Sequence, residues 1–161
     1  PSNVDDKENF AGIIGALEQI GEKIQLVFPV HPRTEKMAKS FGLFERLNAI
    51  PNIILTGPIG YLDFVALMAN AKLALTDSGG LQEETTALGI PCITLRENTE
   101  RPITVSEGTN TIVGCEPNLI MKTAFEALEG KGKTGRIPAL WDGKTSERIA
   151  DVILQFIESG D

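Results

Sequence analysis

Two cysteines, one histidine and no excess of positive charge mark what this 161-residue chain does without. Cys92 and Cys115 form no CxxC pair and have no histidine beside them. A structural zinc site is therefore excluded, and the two read as buried free thiols in a reducing, cytoplasmic setting. Lysine and arginine number 15 against 22 aspartates and glutamates, a formal net charge of −7 with no basic cluster. Nucleic acid and anionic membrane surfaces need the opposite field, so both partner classes fall away; a small phosphate ligand needs only a few local donors and stays. The longest apolar stretches, such as those at 24–30 and 73–75, are too short to span a bilayer. Acidic Asp5, Asp6 and Glu8 stand where a secretory signal would carry its basic segment. There is no internal repeat, low-complexity tract or interdomain linker. What is present is a globular composition, 42% hydrophobic and 23% charged, at a length that suits one domain with one sizeable core.

Apolar spacing alternates between two periods along the chain. Phe10, Ile13, Ile14 and Leu17 fall on one face of a helix entered through 3–6. A strand is expected over 23–30, a helix over 35–47 and a second strand over 52–55. Phe64, Leu67, Met68 and Ala71 repeat the amphipathic helical pattern. Strands follow at 72–76, 91–95 and 111–113. Helices are expected at 80–88, ending at Gly89, at 119–128 and at 146–157, the last with Ile149, Val152, Ile153 and Phe156 on one face. Strand–helix alternation with short connections implies an α/β domain, a Rossmann-like doubly wound parallel sheet covered on both faces. Such sheets bind ligands at the carboxyl ends of their strands. The polar and glycine-rich segments at 30–33, 56–60, 76–80 and 95–101 lie at those ends. A doubly wound domain ordinarily opens on a strand that lies mid-sheet, whereas this chain opens on the lead-in to a helix. The expectation is that the natural protein continues before Pro1.

Asp77-Ser78-Gly79-Gly80 joins a strand directly to a helix. Free amides at a helix N-terminus attract anions, and paired glycines let the backbone approach a phosphate without a Cβ in the way. Ser78 can cap the helix or donate its hydroxyl to a phosphate oxygen. The same residues also suit an ordinary capped turn. Glu83 and Glu84 are expected in the first helical turn, where negative charge favours the dipole and where a carboxylate can also accept ribose hydroxyls. Adjacent helical residues point about 100° apart, so one of the two faces a ligand. Arg96 and Arg101 lie in a polar loop on the same sheet edge, either solvated or matched to a diphosphate. His31, the lone histidine, ends a strand before Pro32 and reads either as structural or as a ligand contact. Phe64 reads either as a stacking platform for a base or as a core residue.

At these residues the chain resembles the non-hydrolysing UDP-N-acetylglucosamine 2-epimerases. The resemblance rests on Thr76-Asp77-Ser78-Gly79-Gly80-Leu81-Gln82-Glu83-Glu84 and Thr99-Glu100-Arg101-Pro102. It extends through Phe28-Pro29-Val30-His31-Pro32, Gly108-Thr109-Asn110 and the segment from Trp141 to Ile149, in family order over nearly the whole chain. It implies that residues 1–161 are the single C-terminal, UDP-binding domain of a two-domain, GT-B-type enzyme. That enzyme interconverts UDP-GlcNAc and UDP-ManNAc by elimination and re-addition of UDP, as an isomerase of cell-surface polysaccharide biosynthesis. By the same resemblance, Ser78, Gly79 and Gly80 bind the diphosphate, Glu84 the ribose, and Arg101 the phosphate side. Phe64 lies by the uracil and His31 near the nucleotide. The family's acid/base carboxylates belong to the first domain, so no catalytic residue, cofactor or metal is expected here. The expected partners are a UDP-sugar substrate and, for the full-length enzyme, a second copy in a homodimer. A hydrolysing 2-epimerase, a GT-B glycosyltransferase and a non-catalytic nucleotide-sugar sensor are the alternative readings. Against the family pattern, a glutamine common near Ile59 is missing, Ile103 replaces a glutamate, and Leu140–Lys144 a Tyr-Gly-Asp-Gly-type segment.

Overall fold

The computed structural model describes residues 2–159; Pro1, Gly160 and Asp161, which the expected domain 1–161 includes, lie outside the described residues. Helix α1 (Ser2–Asp5) leads into α2 (Lys7–Gly21). Asp6 caps α2 by accepting from the Asn9 N–H at 2.8 Å, satisfying an amide that the first turn cannot pair. The apolar spacing of α2 then buries Phe10, Ile13, Ile14, Ala16 and Ile20. These residues face two ways. Ile13, Ala16 and Ile20 pack with Ile93, Leu95, Val113, Ile120 and Ala124, while Phe10 and Ile14 pack with Ala38, Leu43, Leu47 and Ile50. One helix thus ties two apolar clusters into one body.

Strand β1 (Leu26–Pro29) pairs in parallel with β2 (Ile53–Thr56). Between them lie α3 (Pro32–Ser40) and α4 (Phe44–Asn48). The single helix expected over 35–47 is corrected to these two. Gly42 sits at φ +70° and turns the chain back, with the Leu43 N–H donating to the Ala38 carbonyl at 2.8 Å. The break sends Leu43 and Leu47 into the second cluster. After β2 come α5 (Tyr61–Ala69), β3 (Ala74–Thr76) and α6 (Gly79–Leu88), which ends at Gly89 in the left-handed region. Then follow β4 (Cys92–Thr94), the short α7 (Pro102–Ser106), β5 (Asn110–Ile112), α8 (Pro117–Leu128) and α9 (Thr145–Ser159). Helices α1 and α7 were not expected from the spacing.

All strand pairs are parallel, as expected, and form two ladders, β1–β2 and β3–β4–β5. No ladder joins β1 to β3 among the described residues. Coverage on both faces is corrected for the first pair: Val27 and Ile54 remain 43% exposed on the side away from the second cluster. Helix α9 forms as the spacing indicates, yet none of its residues is buried, and its apolar stripe is open to solvent. No described helix is long and apolar enough to cross a membrane. Of the two free thiols, Cys92 is buried, but Cys115 is only half-buried, a correction to the expectation for both.

Candidate functional site

The carboxyl ends of β3 and β4 deliver the two segments that carry most of the expected site. After β3 the chain turns through Asp77 and Ser78 and enters α6 at Gly79. Thr76 shapes the turn, its Oγ1 accepting from the Ser78 N–H at 3.0 Å. Ser78 occupies the N-cap position with extended backbone, yet its side chain makes no capping hydrogen bond. The hydroxyl therefore stays available beside the first-turn amides, which have no intrahelical partner. Gly80 lies against it: a Cβ built there would stand 4.0 Å from Ser78 Oγ.

Arg101, at the end of the loop after β4, reaches the same place. A Cβ on Gly79 would lie 3.9 Å from Arg101 Cγ, so the arginine stem runs beside the glycine turn. Its Nε bonds Glu83 Oε2 at 3.1 Å, and an η nitrogen donates to the Glu100 carbonyl at 3.3 Å. Both partners of the Arg101–Glu83 pair are about two-fifths exposed. Glu84 takes part in no ion pair among the described residues. The expected first-turn position of the two glutamates is corrected. Because α6 begins at Gly79, its first turn holds no acid, and Glu83 and Glu84 fall in the second turn. The helix dipole acts mainly within the first turn, so it does not account for them. Glu83 instead neutralises Arg101, and Glu84 projects about 100° around the helix from it.

Carboxylates also shape the field at this edge. Burial pushes the Cys115 thiol up, and the negative charges of Glu97, Asp77 and Asp6 push it the same way. Arg96 is paired with Glu100 at 3.5 Å. The structure thus brings together Ser78, Gly79, Gly80, Arg101 and Glu83, with Glu84 one residue along. His31 and Phe64 come from other elements. His31, two residues past β1, is the N-cap of α3, its Nδ1 accepting from the Arg33 N–H at 3.1 Å. That bond gives the exposed imidazole a structural task. Phe64 is half-buried on α5, which packs against α6, and belongs to neither apolar cluster. No hydrogen bond or ion pair among the described residues links either residue to the glycine turn.

Beneath the turn lies a set of uncharged polar residues to which sequence reasoning gave no role. Gln82, Thr94, Thr104 and Asn110 are fully buried, and Gln82 Oε1 accepts from Thr99 Oγ1 at 2.5 Å. Thr99 and Asn110 lie within the motifs, but neither showed as structural. The available signal was an asparagine at the entrance to an expected interior strand, a position that demands hydrogen-bond partners. Lys133 supports Asn110 from below, its amine donating to the Asn110 carbonyl at 2.9 Å and to the Val105 carbonyl. Burial lowers its pKa.

Comparisons with known proteins converge on one family. The family model described as UDP-N-acetylglucosamine 2-epimerase matches residues 1–154. The UDP-N-acetylglucosamine 2-epimerase of Methanocaldococcus jannaschii is 43% identical over 153 residues, covering 94% of this chain and 41% of that protein. The UDP-2,3-diacetamido-2,3-dideoxy-D-glucuronate 2-epimerase of Pseudomonas aeruginosa is 35% identical, again covering 94% of this chain and 41% of the relative. A crystal structure of the M. jannaschii enzyme in complex with UDP-GlcNAc and UDP superposes with a TM-score of 0.85 at 42% identity, over 96% of this chain and 42% of that one. The chain therefore spans about two-fifths of the length of these relatives. It belongs to the UDP-N-acetylglucosamine 2-epimerase family.

Proposed function

We propose that this chain is the UDP-binding part of a UDP-sugar 2-epimerase that inverts C2 of UDP-N-acetylglucosamine. The observation that carries the reading is the approach of the Arg101 stem to Gly79 beside an unengaged Ser78 hydroxyl. The first-turn amides, the hydroxyl and the arginine stem lie side by side there, and amide, hydroxyl and guanidinium each suit a diphosphate oxygen. Glu84, unpaired on the next turn, accepts the ribose hydroxyls. Phe64 and His31 contribute at the uracil and near the nucleotide as the enzyme closes around its substrate.

In the proposed reaction a base removes the weakly acidic C2 proton as the C1–O bond to UDP breaks, leaving a 2-acetamidoglucal; UDP then re-adds at C1 while a proton is delivered to the opposite face of C2. Charge builds on the departing diphosphate. Fixed N–H donors offset it without reorganising, and Arg101 adds positive charge once its guanidinium exchanges Glu83 for the diphosphate, which is where this part of the enzyme contributes to rate. The proton-transfer groups come from the remaining three-fifths of the enzyme. The chain on its own binds UDP and does not epimerise; turnover by the isolated chain contradicts that. The same remainder supplies a strand between β1 and β3 and covers the open Val27 and Ile54 face. The complete enzyme works in the cytoplasm as a homodimer.

Calorimetric titration with UDP tests the reading. A carboxylate accepting two ribose hydroxyls contributes about 1.5–3 kcal/mol, so Glu84→Ala weakens binding roughly ten- to hundredfold. Arg101→Ala lowers it by a comparable factor. Unchanged affinity in both variants removes the proposed site.

A further inference from the structure

The backbone of Arg101 is held at both ends by one closed ring of hydrogen bonds. Its N–H donates to Thr99 Oγ1 at 2.9 Å. That hydroxyl donates in turn to Gln82 Oε1 at 2.5 Å. Gln82 Oε1 also accepts from Asn110 Nδ2 at 3.1 Å, and the other Nδ2 proton goes to Thr104 Oγ1 at 3.0 Å. Thr104 Oγ1 closes the ring by donating to the Arg101 carbonyl at 2.7 Å. Thr94 Oγ1 donates to Asn110 Oδ1 at 2.6 Å and anchors the ring to β4.

The directions of these bonds are mutually fixed. With Thr94 Oγ1 donating to Asn110 Oδ1, the Asn110 amino group faces Gln82 and Thr104. A flipped Gln82 amide would set two amino groups against each other. Each ring hydroxyl uses its single proton and at least one lone pair. Gln82 Nε2 is buried and has no hydrogen-bond partner among the described residues, but the ring oxygens and the Asn110 amide are paired, and displacing them would strand further donors and acceptors in a low dielectric, which favours one geometry.

Gln82 has a second consequence. It lies three residues after Gly79 on α6, so the element presenting the anion-binding amides also holds the ring's central acceptor. The ring therefore sets the Arg101 loop in register with the glycine turn. We propose that Gln82, Thr99, Thr104 and Asn110 are positioning residues that fix Arg101 against the Gly79 and Gly80 amides, so that a diphosphate meets guanidinium and amides at one geometry. This rests on the UDP reading above.

The decisive variant is Thr99→Val, which keeps the shape and removes two adjacent ring bonds at a half-buried position. Titrations of the full 161-residue chain with UDP and with uridine read it out. The expected result is a roughly tenfold loss for UDP, no change for uridine, and recovery to within about threefold in Thr99→Ser. Arg101→Ala should cost less in the Thr99→Val background than alone, because both changes remove the same contact. Gln82→Met should show the same pattern wherever circular dichroism confirms that it folds. Wild-type UDP affinity in Thr99→Val, equal losses for UDP and uridine, or additive losses with Arg101→Ala overturns the proposal and leaves the UDP reading standing. If the wild-type chain binds inorganic pyrophosphate but not UDP, the UDP reading fails. The ring is then judged by whether Thr99→Val weakens pyrophosphate. Binding of neither probe overturns both.

Discussion

Gly80→Ala separates the stability of the glycine turn from its ligand chemistry. Gly80 is the second residue of α6 and has an ordinary helical backbone, and a Cβ there would meet only Ser78 Oγ within 4 Å, at 4.0 Å. Nothing in the fold requires glycine at this point. Replacing glycine by alanine inside a helix stabilises by about 0.5–1 kcal/mol, largely by restricting the unfolded chain. For a chain of this size that raises Tm by roughly 1–4 °C. A diphosphate oxygen bonded to the Gly80 N–H, in contrast, would meet the new methyl group. Loss of one hydrogen bond to a charged ligand is about 1.5–3 kcal/mol, or roughly ten- to hundredfold in UDP affinity. Differential scanning fluorimetry and calorimetry on the same preparation measure both quantities. A variant that is as stable as wild type or more so, yet binds UDP at least tenfold more weakly, is expected. A variant that binds UDP like wild type refutes the reasoning, because the amide would then not approach a phosphate.

Other perturbations test separate parts of the account. Ser78→Ala should leave Tm within about 1 °C, since the side chain makes no capping bond, while lowering UDP affinity roughly ten- to hundredfold, as for one hydrogen bond to a charged ligand of about 1.5–3 kcal/mol; a clear loss of Tm would show a cap that the structure lacks. Gly108→Ala should destabilise by about 1–3 kcal/mol in urea unfolding, because its Cβ would stand 2.4 Å from Thr86 Oγ1 and 2.6 Å from the Thr104 carbonyl; an unchanged midpoint contradicts that packing. Two hydrogen bonds from Arg148 and one from the Lys144 N–H hold the Asp142 carboxyl at about 2, below its ordinary 3.8. Its folded pKa is depressed, so its contribution to stability is present above 3.8 and is lost as pH falls through about 2. An NMR titration of the carboxyl carbon should find a midpoint near 2, and an ordinary midpoint near 3.8 would show that the Arg148 pair does not persist. A thiol reagent should modify half-buried Cys115 before buried Cys92, and equal rates would contradict their burial.

The parts of the fold legible in the sequence are those set by local rules. The strand-to-helix junction at 78–80 and the helix end at Gly89 each declare themselves within a few residues; the structure places Gly89 as read and opens α6 one residue early, at Gly79. The helix over 35–47 was misread because apolar spacing continues across Gly42, while a positive φ at that one residue decides the chain's direction. The second-turn placement of Glu83 and Glu84 turned on a one-residue difference at the helix start, which periodicity does not resolve. The polar ring was invisible for another reason. Gln82, Thr99, Thr104 and Asn110 come from four separate segments, and only the fold brings them together. The apolar stripe of α9 was read correctly as a stripe, but spacing carries no information about what a stripe faces.

The central claim is that the diphosphate of UDP sits on the Ser78–Gly80 turn with Arg101 beside it. At 17.4 kDa the chain suits amide-resolved NMR, and a UDP titration of the isotope-labelled protein tests the claim most directly. The largest shifts should fall on the amides of Gly79, Gly80 and Leu81 and on the Arg101 Nε–H as it leaves Glu83. Saturable shifts confined to other strand ends, with the Gly79 and Gly80 amides unmoved, would contradict it.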